Sequence, residues 1–425
     1  MSSLWHHRDF RQLWAAETVS QVGTQITLLA LPVLAVGVLA ATPLEMGVLT
    51  ALETLAFLVI GLPAGAWVDR WRRKRVLVAA DLVRAVALGT LPLAYAFDVL
   101  TLAQLFVVAA VTGTATVFFD VAYQSYLPTL VARDQIVDGN GKLEASRAVA
   151  QVAGPGITGV LLRVLGAPLL LLADALSFLL SAWFIGRIRH VDVVPDRAAR
   201  RPLRVEIAEG LSFVVRHPLL RRMVACTGLA NLAGSATSAL LVLFALRELG
   251  LSETTVGLVF SAGAVGGVVG AVVASRVARS FGEGRTIPAS ALLFAAAGAA
   301  VPAADLVAPV PLLVGGWFVS SFAVIVYNVT QVSFRQRLCP PPLLGRMNAS
   351  VRFLVFGTMP IGGLLGGVLA TWLGVVPALW IAVAGQFVAA LPVLLSPLVR
   401  MRELPDELDA TLPAPVPQVG PPAAG

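Results

Sequence analysis

Twelve stretches of about 20 mostly apolar residues follow one another along this chain, each long enough as a helix to cross the hydrocarbon core of a bilayer. They lie near 13–38, 44–67, 76–97, 102–126, 142–164 and 168–188, then near 222–247, 254–277, 287–306, 311–334, 347–372 and 376–398. Backbone groups in lipid have no water to bond, so runs of this length must satisfy themselves as helices. The predicted class is an all-α membrane protein with 12 transmembrane helices. Composition agrees: 13% of the 425 residues are charged, against about 25% in soluble domains.

Loop charge tests the count. Arg8 and Arg11 precede the first run, and GAWVDRWRRKR (65–75) joins the second to the third. Arg133 and Lys142, the region from Arg187 to Arg222, then Arg276, Arg279 and Arg285, and finally Arg335, Arg337 and Arg346 fall on the same side. The opposite loops hold Arg163, Arg247 and little else. Positive loops stay inside, so both termini are expected in the cytoplasm, with the protein multi-pass in the cell membrane. The net charge of +7 is then explained by anionic lipid rather than nucleic acid.

The longest connection predicts two bundles of six, at 1–190 and 222–400, with a linker at 191–221. Within 204–223, apolar residues at helical spacing beside Arg216, Arg221 and Arg222 fit an amphipathic helix on the inner surface or an ordinary helix feeding the seventh span. The Pro/Ala-rich tail, 401–425, is expected to be disordered. The opening MSSLWHHRDFRQLW lacks the short apolar core of a removable signal peptide. Cys226 and Cys339 are far apart without ligand-like neighbours, and His6 and His7 read as a solvated pair, so no disulfide, metal or cofactor is expected. No nucleotide loop, HExxH or aspartate-rich cation motif is present, which argues against an enzyme.

An internal repeat supports two related halves. GKLEAS at 141–146 reappears as GRMNAS at 345–350, and each is followed by a glycine/proline cluster, GPGITG at 154–159 and MPIGG at 359–363. The spacing G-x-x-x-D-R-x-x-R-K in the 65–75 loop resembles the helix two–three loop of major facilitator superfamily transporters, with Arg72 where the family usually has a second glycine. AGPGITG (153–159) resembles the antiporter motif of its exporters, carried by Gly154, Pro155 and Gly159. ETLAFLVIGLPAG (53–65), FFDVAYQSYLP (118–128) and GKLEASRAVAQVAGPG (141–156) are similar to the macrolide-efflux and enterobactin-exporter branch, the transmembrane secretion effectors. The helix-four arginine of many drug antiporters is missing from 101–119.

The resemblance implies two pseudo-symmetric six-helix bundles around a central site and export of a small amphipathic organic compound by proton antiport. Import or symport of a nutrient, and export of a siderophore or lipid, stay open as alternatives. A monomer is expected, with the solute, protons and the bilayer as partners. Spans one, four, seven and ten would line the cavity. Their polar residues are Gln21, Thr24 and Gln25, then Thr112 and Thr116, then Asn231, Ser235 and Ser238, then Tyr327, Asn328 and Gln331. Neutral groups of this kind suit an amphipathic solute better than a phosphate or sugar acid.

Charge at membrane depth costs several kcal/mol, so each such group needs a partner, water or a proton. Glu17, Glu53, Asp81, Asp120, Glu144 and Asp174 fall inside or at the edge of first-half spans, while the second half has none inside its spans. Proton chemistry is therefore expected in the first half, with Glu53, Asp174 and Glu17 as candidates. Asp81 with Arg84 and Glu144 with Arg147 are three apart and can neutralise each other. A gate at the cytoplasmic side would use Gly65, Asp69, Arg70, Arg73, Asp120 and Arg352. In it, Asp120 would pair with Arg73, and Asp69 would meet the start of helix eleven. Arg352 has no acid on its own helix, so its partner must come from elsewhere.

Overall fold

The computed structural model describes residues 4–68, 70–132, 135–190, 203–339 and 343–402. Asp69, linker residues 191–202 and the chain from 403 lie outside these, and with them the roles expected of Asp69 and of the tail. Among the described residues every regular element is helical. The first half comprises α1 (Arg8–Val33), α2 (Pro43–Val59), α3 (Gly61–Val68), α4 (Arg73–Ala96), α5 (Leu102–Leu130) and α6 (Ile136–Gly186). A connecting helix, α7 (Leu203–Arg216), leads to α8 (Pro218–Leu243), α9 (Glu253–Phe281), α10 (Glu283–Gly298), α11 (Ala300–Ala303), α12 (Pro309–Leu338), α13 (Leu344–Phe356), α14 (Met359–Leu373) and α15 (Val375–Leu394).

Ten helical segments among the described residues are long and apolar enough to cross a membrane. Two local features reconcile this number with the twelve expected. The second span is interrupted at Ile60, giving pieces of 17 and 8 residues. The 51-residue α6 doubles back at Gly166, whose φ of 75° and ψ of 162° leave the helical region. Leu143 and Ile185, from its two ends, share one apolar cluster, whereas Leu162 and Leu170 near its middle lie in another. Only glycine adopts this φ without cost.

The two halves repeat in detail. Thr42 and Ser252 cap α2 and α9, accepting from Glu45 N–H at 3.4 Å and Thr255 N–H at 3.2 Å. Each cap follows a π turn, Leu34–Val38 in one half and Phe244–Glu248 in the other. α4 begins at Arg73 and α10 at Glu283. All three pairs are 210 residues apart. The hairpin glycines, Gly166 and Gly374, are 208 apart, and Gly374 has φ 93° and ψ 161°.

Two crossings of small residues join the halves, where the absence of side chains lets backbones touch. α2 lies on α14: a Cβ on Gly367 would sit 2.8 Å from the Pro43 carbonyl. The first leg of α6 lies on α9: a Cβ on Gly159 would sit 2.8 Å from the Glu253 carbonyl. At the end away from the basic loops, one apolar core spans both halves, with Leu34, Leu49 and Leu171 packed in the same cluster as Leu240, Phe244 and Leu379. At the basic end the cores are separate: Phe10, Leu77 and Phe119 belong to one, and Leu220, Phe334 and Val393 to another. One shared apolar core thus joins the halves at one end only.

The connecting helix α7 docks on the base of α13. Val214 packs with Met347 and Val351, Glu209 pairs with Arg346, and a Cβ on Gly210 would meet Ser350 Oγ at 2.6 Å. It ends at His217, whose Nδ1 accepts from Leu220 N–H at 3.3 Å and caps α8 ahead of Pro218. The seventh span thus begins at Pro218, four residues before the expected boundary.

Candidate functional site

The first-half bundle holds a cluster of buried charge. Asp81 and Arg84, one turn apart on α4, form an ion pair in which both side chains are almost wholly buried. The guanidinium is sandwiched between Phe119 of α5 and Phe178 of α6, 4.3 and 4.1 Å from the ring centroids. Its charge also reaches Glu17, Asp120 and Asp174. Glu17 is 7% exposed and accepts from Gln21 Nε2 at 2.7 Å, while its second oxygen has no partner. Arg147 lies within electrostatic reach of Glu17 and Asp120.

Asp174 is fully buried. Thr27 of α1 donates to one carboxyl oxygen, and Ser177 donates to the other at 2.9 Å. Gly23 leaves the space, since a Cβ there would collide with the carboxylate and with Ser177. Glu53 differs: it is half-buried on α2, and among the described residues nothing donates to its carboxyl or pairs with it. It shares a helix face with Thr50, which meets Gly363, and with Phe57, whose ring lies 5.4 Å from that of Phe356. That face looks toward the second half.

At the basic end Arg352 of α13 crosses to α5, donating to Gln124 Oε1 at 3.0 Å. The cations that reach Asp120 are Arg352 first, then Arg84 and Arg147. The expected Asp120–Arg73 pair does not appear among the ion pairs of the described residues; the contact between halves at this end is the hydrogen bond from Arg352 to Gln124, with Asp120 within reach of the Arg352 charge. Gly65 faces open space and Arg70 is exposed, so neither joins this contact. Arg73 is half-buried at the start of α4.

The second half contains a cavity of about 360 Å³ between α8, α10, α12, α14 and α15. Asn231, Ser235, Ser238, Tyr327 and Asn328 line it, but several are engaged. Asn231 donates to the Val355 carbonyl at 3.1 Å and Ser235 to that of Met359 at 2.7 Å. These serve the break between α13 and α14. The Tyr327 hydroxyl lies 2.9 Å from Thr227 Oγ1 and donates to the Met223 carbonyl at 3.2 Å. Among the described residues no charged side chain is on the wall.

Gln21, Gln25, Thr112, Thr116 and Gln331 are not on this wall, which draws on the seventh and tenth spans and not on the first and fourth. Gln21 is taken by Glu17, the stem of Gln25 fills the space beside Gly154, and Thr112 donates back to the Val108 carbonyl at 2.8 Å. Thr116 is half-buried and Gln331 buried.

The glycines of 153–159 form the crossing with α9. Gly156 N–H donates to Ser261 Oγ at 2.7 Å, and Thr254 Oγ1 donates to the Gly159 carbonyl at 2.9 Å. Pro155 presents its carbonyl to Gly257. The opposite end is locked by Arg247, which donates to the carbonyls of Ala41 at 2.8 Å and Val36 at 3.0 Å in the other half.

The profile of the transmembrane secretion effector family matches residues 3–420. The chain belongs to that family. This secretion effector is 29% identical over 380 residues to the multidrug efflux pump Tap of Mycolicibacterium fortuitum, covering 84% of this chain and 88% of the relative. It is 22% identical over 180 residues to macrolide efflux protein A of Streptococcus pyogenes, covering 42% and 44%. Its fold is that of a bacterial homologue of the iron transporter ferroportin, at 18% identity. The inward-facing state gives a TM-score of 0.73 with 92% and 99% of the two chains covered, and the outward-facing state gives 0.60 with 91% and 98%.

Three parts of the secretion effector's site escaped sequence reading: Gln124, Arg247, and the cavity residues Ser290, Trp317 and Gln386. Glutamine and serine in apolar runs are common packing residues, so they carried no distinguishing signal. Arg247 did stand out as a lone cation among neutral loops, but its partners are backbone carbonyls, which no sequence displays.

Proposed function

We propose that this protein exports a small amphipathic organic compound in exchange for protons by alternating access. Bundles 1–190 and 222–400 would rock about the crevice between them in a monomer, with the basic end and both termini in the cytoplasm. The observation that carries this reading is the carboxyl cluster. Glu17, Asp81, Asp120 and Asp174 have Arg84, Arg147 and Arg352 within reach, one cation fewer than the acids, and Glu53 has no cation at all among the described residues. An unmatched carboxylate at membrane depth is costly, and carrying a proton for part of the cycle removes that cost.

The efflux activities for which the relatives are named support export of drug-like compounds, and the uncharged second-half cavity suits a neutral or weakly polar solute. In the cycle, the solute enters the unsealed basic end. Protonation of Glu53 or Asp174 from outside favours one state, and release inside restores the other. Asp120, Gln124 and Arg352 act as the inner gate, with Gly65, Asp69, Arg70 and Arg73 in the flanking loop.

Proteoliposomes with an imposed pH gradient and erythromycin as probe test this. Gradient-driven transport is expected in the parent, and in Glu53→Gln the gradient is expected to lose its effect while erythromycin binding remains. Gradient-independent transport by the parent would overturn proton exchange. Undiminished coupling in both Glu53→Gln and Asp174→Asn would remove these acids from it.

A further inference from the structure

The loop that begins α4 borders a groove whose walls have no part in the proposed transport cycle, although Arg70 on its rim belongs to the loop beside the gate. Its walls are one face of α4, through Val76, Ala79 and Val83, and one face of α5, through Val111, Thr114 and Phe118. The groove holds about 840 Å³, and its rim carries Arg70, Trp71, Arg72 and Arg75. A second groove of about 520 Å³ on the other flank of α4 shares Arg72, Arg75 and Ala79 and adds Arg189.

The three rim arginines are exposed, and among the described residues none makes an ion pair or a side-chain hydrogen bond. Lys74 differs, donating to the carbonyls of Gly186 at 2.9 Å and Ile188 at 2.6 Å. Arg72, at the start of α4, gives the helix no side-chain cap, so the positive end of its dipole adds to the rim. Trp71 is 51% exposed with its ring 6.0 Å from Phe118, the amphipathic placement of a side chain at headgroup level.

The equivalent corner of the second half shows what is missing. There, 210 residues later, Glu283 pairs with Arg337, and Gly282 and Gly284 lie under the backbone of Arg402 and Met401. The chain's own backbone covers that corner, and one of its cations is paired there. At the first-half corner three arginines without an ion pair among the described residues stand above an apolar slot.

We propose that this groove is a binding site for an anionic phospholipid, with Arg70, Arg72 and Arg75 holding the phosphate and the slot between α4 and α5 taking an acyl chain. An acyl chain is already in hydrocarbon, so the slot fixes depth and orientation. The arginines set the preference for a headgroup without a compensating amine. Basic pockets between membrane helices on the cytoplasmic side recognise lipid in this way.

Native mass spectrometry of the full-length purified protein, titrated with phosphatidylglycerol or phosphatidylcholine of identical chains, tests this. The parent is expected to bind phosphatidylglycerol at a lower concentration, with the gap reduced about thirtyfold in Arg72→Gln/Arg75→Gln. Ala79→Trp, which fills the slot and keeps every arginine, is expected to weaken phosphatidylglycerol as well. Arg276→Gln/Arg279→Gln in the second half should leave the gap intact. Equal binding of the two lipids by the parent would overturn the site and leave the corner to the chain's own acidic segments. A gap unchanged in Arg72→Gln/Arg75→Gln would also overturn it. Full competition by glycerol 3-phosphate would reduce it to a headgroup contact and remove the slot.

Discussion

The two six-helix halves share a backbone plan and fill the same interior space with opposite chemistry. In the register fixed by the caps, the π turns and the helix starts, Glu17 corresponds to Thr227, Asp81 to Ala291 and Arg84 to Phe294. In the register of the hairpin glycines, Asp174 corresponds to Ala382 and Phe178 to Gln386. Thr227, Ala291, Phe294 and Gln386 all line the second-half cavity. The cavity is therefore the counterpart of the ion cluster, with the charges removed and the volume left open. The two copies share one scaffold; one is filled with buried charge, and the other is left open with no charged side chain among the described residues on its wall.

The difference is broken most severely at Arg84. Arg84→Leu strands Asp81 in an apolar interior and is expected to cost about 3–5 kcal/mol of stability. Removing both charges, as Asp81→Asn/Arg84→Leu, should recover most of that loss. Thermal unfolding of the purified protein in detergent checks both. A double variant as unstable as the single one would mean the first half needs the pair for more than neutrality.

Asp174→Asn comes next. The amide can still accept from Thr27 or Ser177, so stability should change by about 1 kcal/mol or less. Proton-driven transport should fall about a hundredfold, equivalent to ~2.7 kcal/mol. The same assay on Ser238→Ala, in the second half, should alter apparent affinity and leave the response to the gradient intact. If the serine variant uncoupled transport, the assignment of protons to one half would fail.

The corners at the sealed end differ in charge. Arg247 of the second half stands where the first half has Gly37, and it reaches across to the other half. Charge-assisted hydrogen bonds contribute about 1.5–3 kcal/mol each, so Arg247→Ala is expected to shift the balance toward the outward-open state by about 2 kcal/mol. A cysteine at the buried position Ala245, with Cys226 and Cys339 replaced by serine, should then label about thirtyfold faster. An unchanged rate would assign closure to the shared apolar core alone.

Much of this asymmetry is legible in residue identity alone. Membrane-length runs and loop charge locate the helices, and the confinement of acids to the first half is plain, because charges and hydrocarbon lengths are written directly in the chain. The interruptions at Ile60 and between α13 and α14 are only half legible: Gly61 and Pro63, and Gly357 and Pro360, mark the places, but such residues also occur in unbroken membrane helices. The choice of partner for each polar group is not legible. Asn231 and Ser235 are expected as substrate-cavity residues, and both donate to carbonyls of the broken span. Which neighbour a side chain meets depends on helix rotation and crossing, and these are settled by packing across the bundle.

Gln386 supplies the finest comparison. It stands where the first half has Phe178, whose ring lies over the Arg84 guanidinium. In the second half there is no guanidinium to cover, and the glutamine is 6% exposed with its carbonyl oxygen unpartnered on the cavity wall. A buried acceptor without a donor is a cost to the empty protein, and a hydroxyl or amide of a bound solute removes it. Gln386→Leu is therefore expected to leave stability unchanged or raise it by about 1 kcal/mol, while weakening a hydrogen-bonding solute such as erythromycin about tenfold. A thermal melt and a binding titration on the same sample read the two effects, which should have opposite signs. If stability and affinity fell together, Gln386 would be a packing residue of the second half, as Phe178 is of the first, and the cavity would lose that free acceptor.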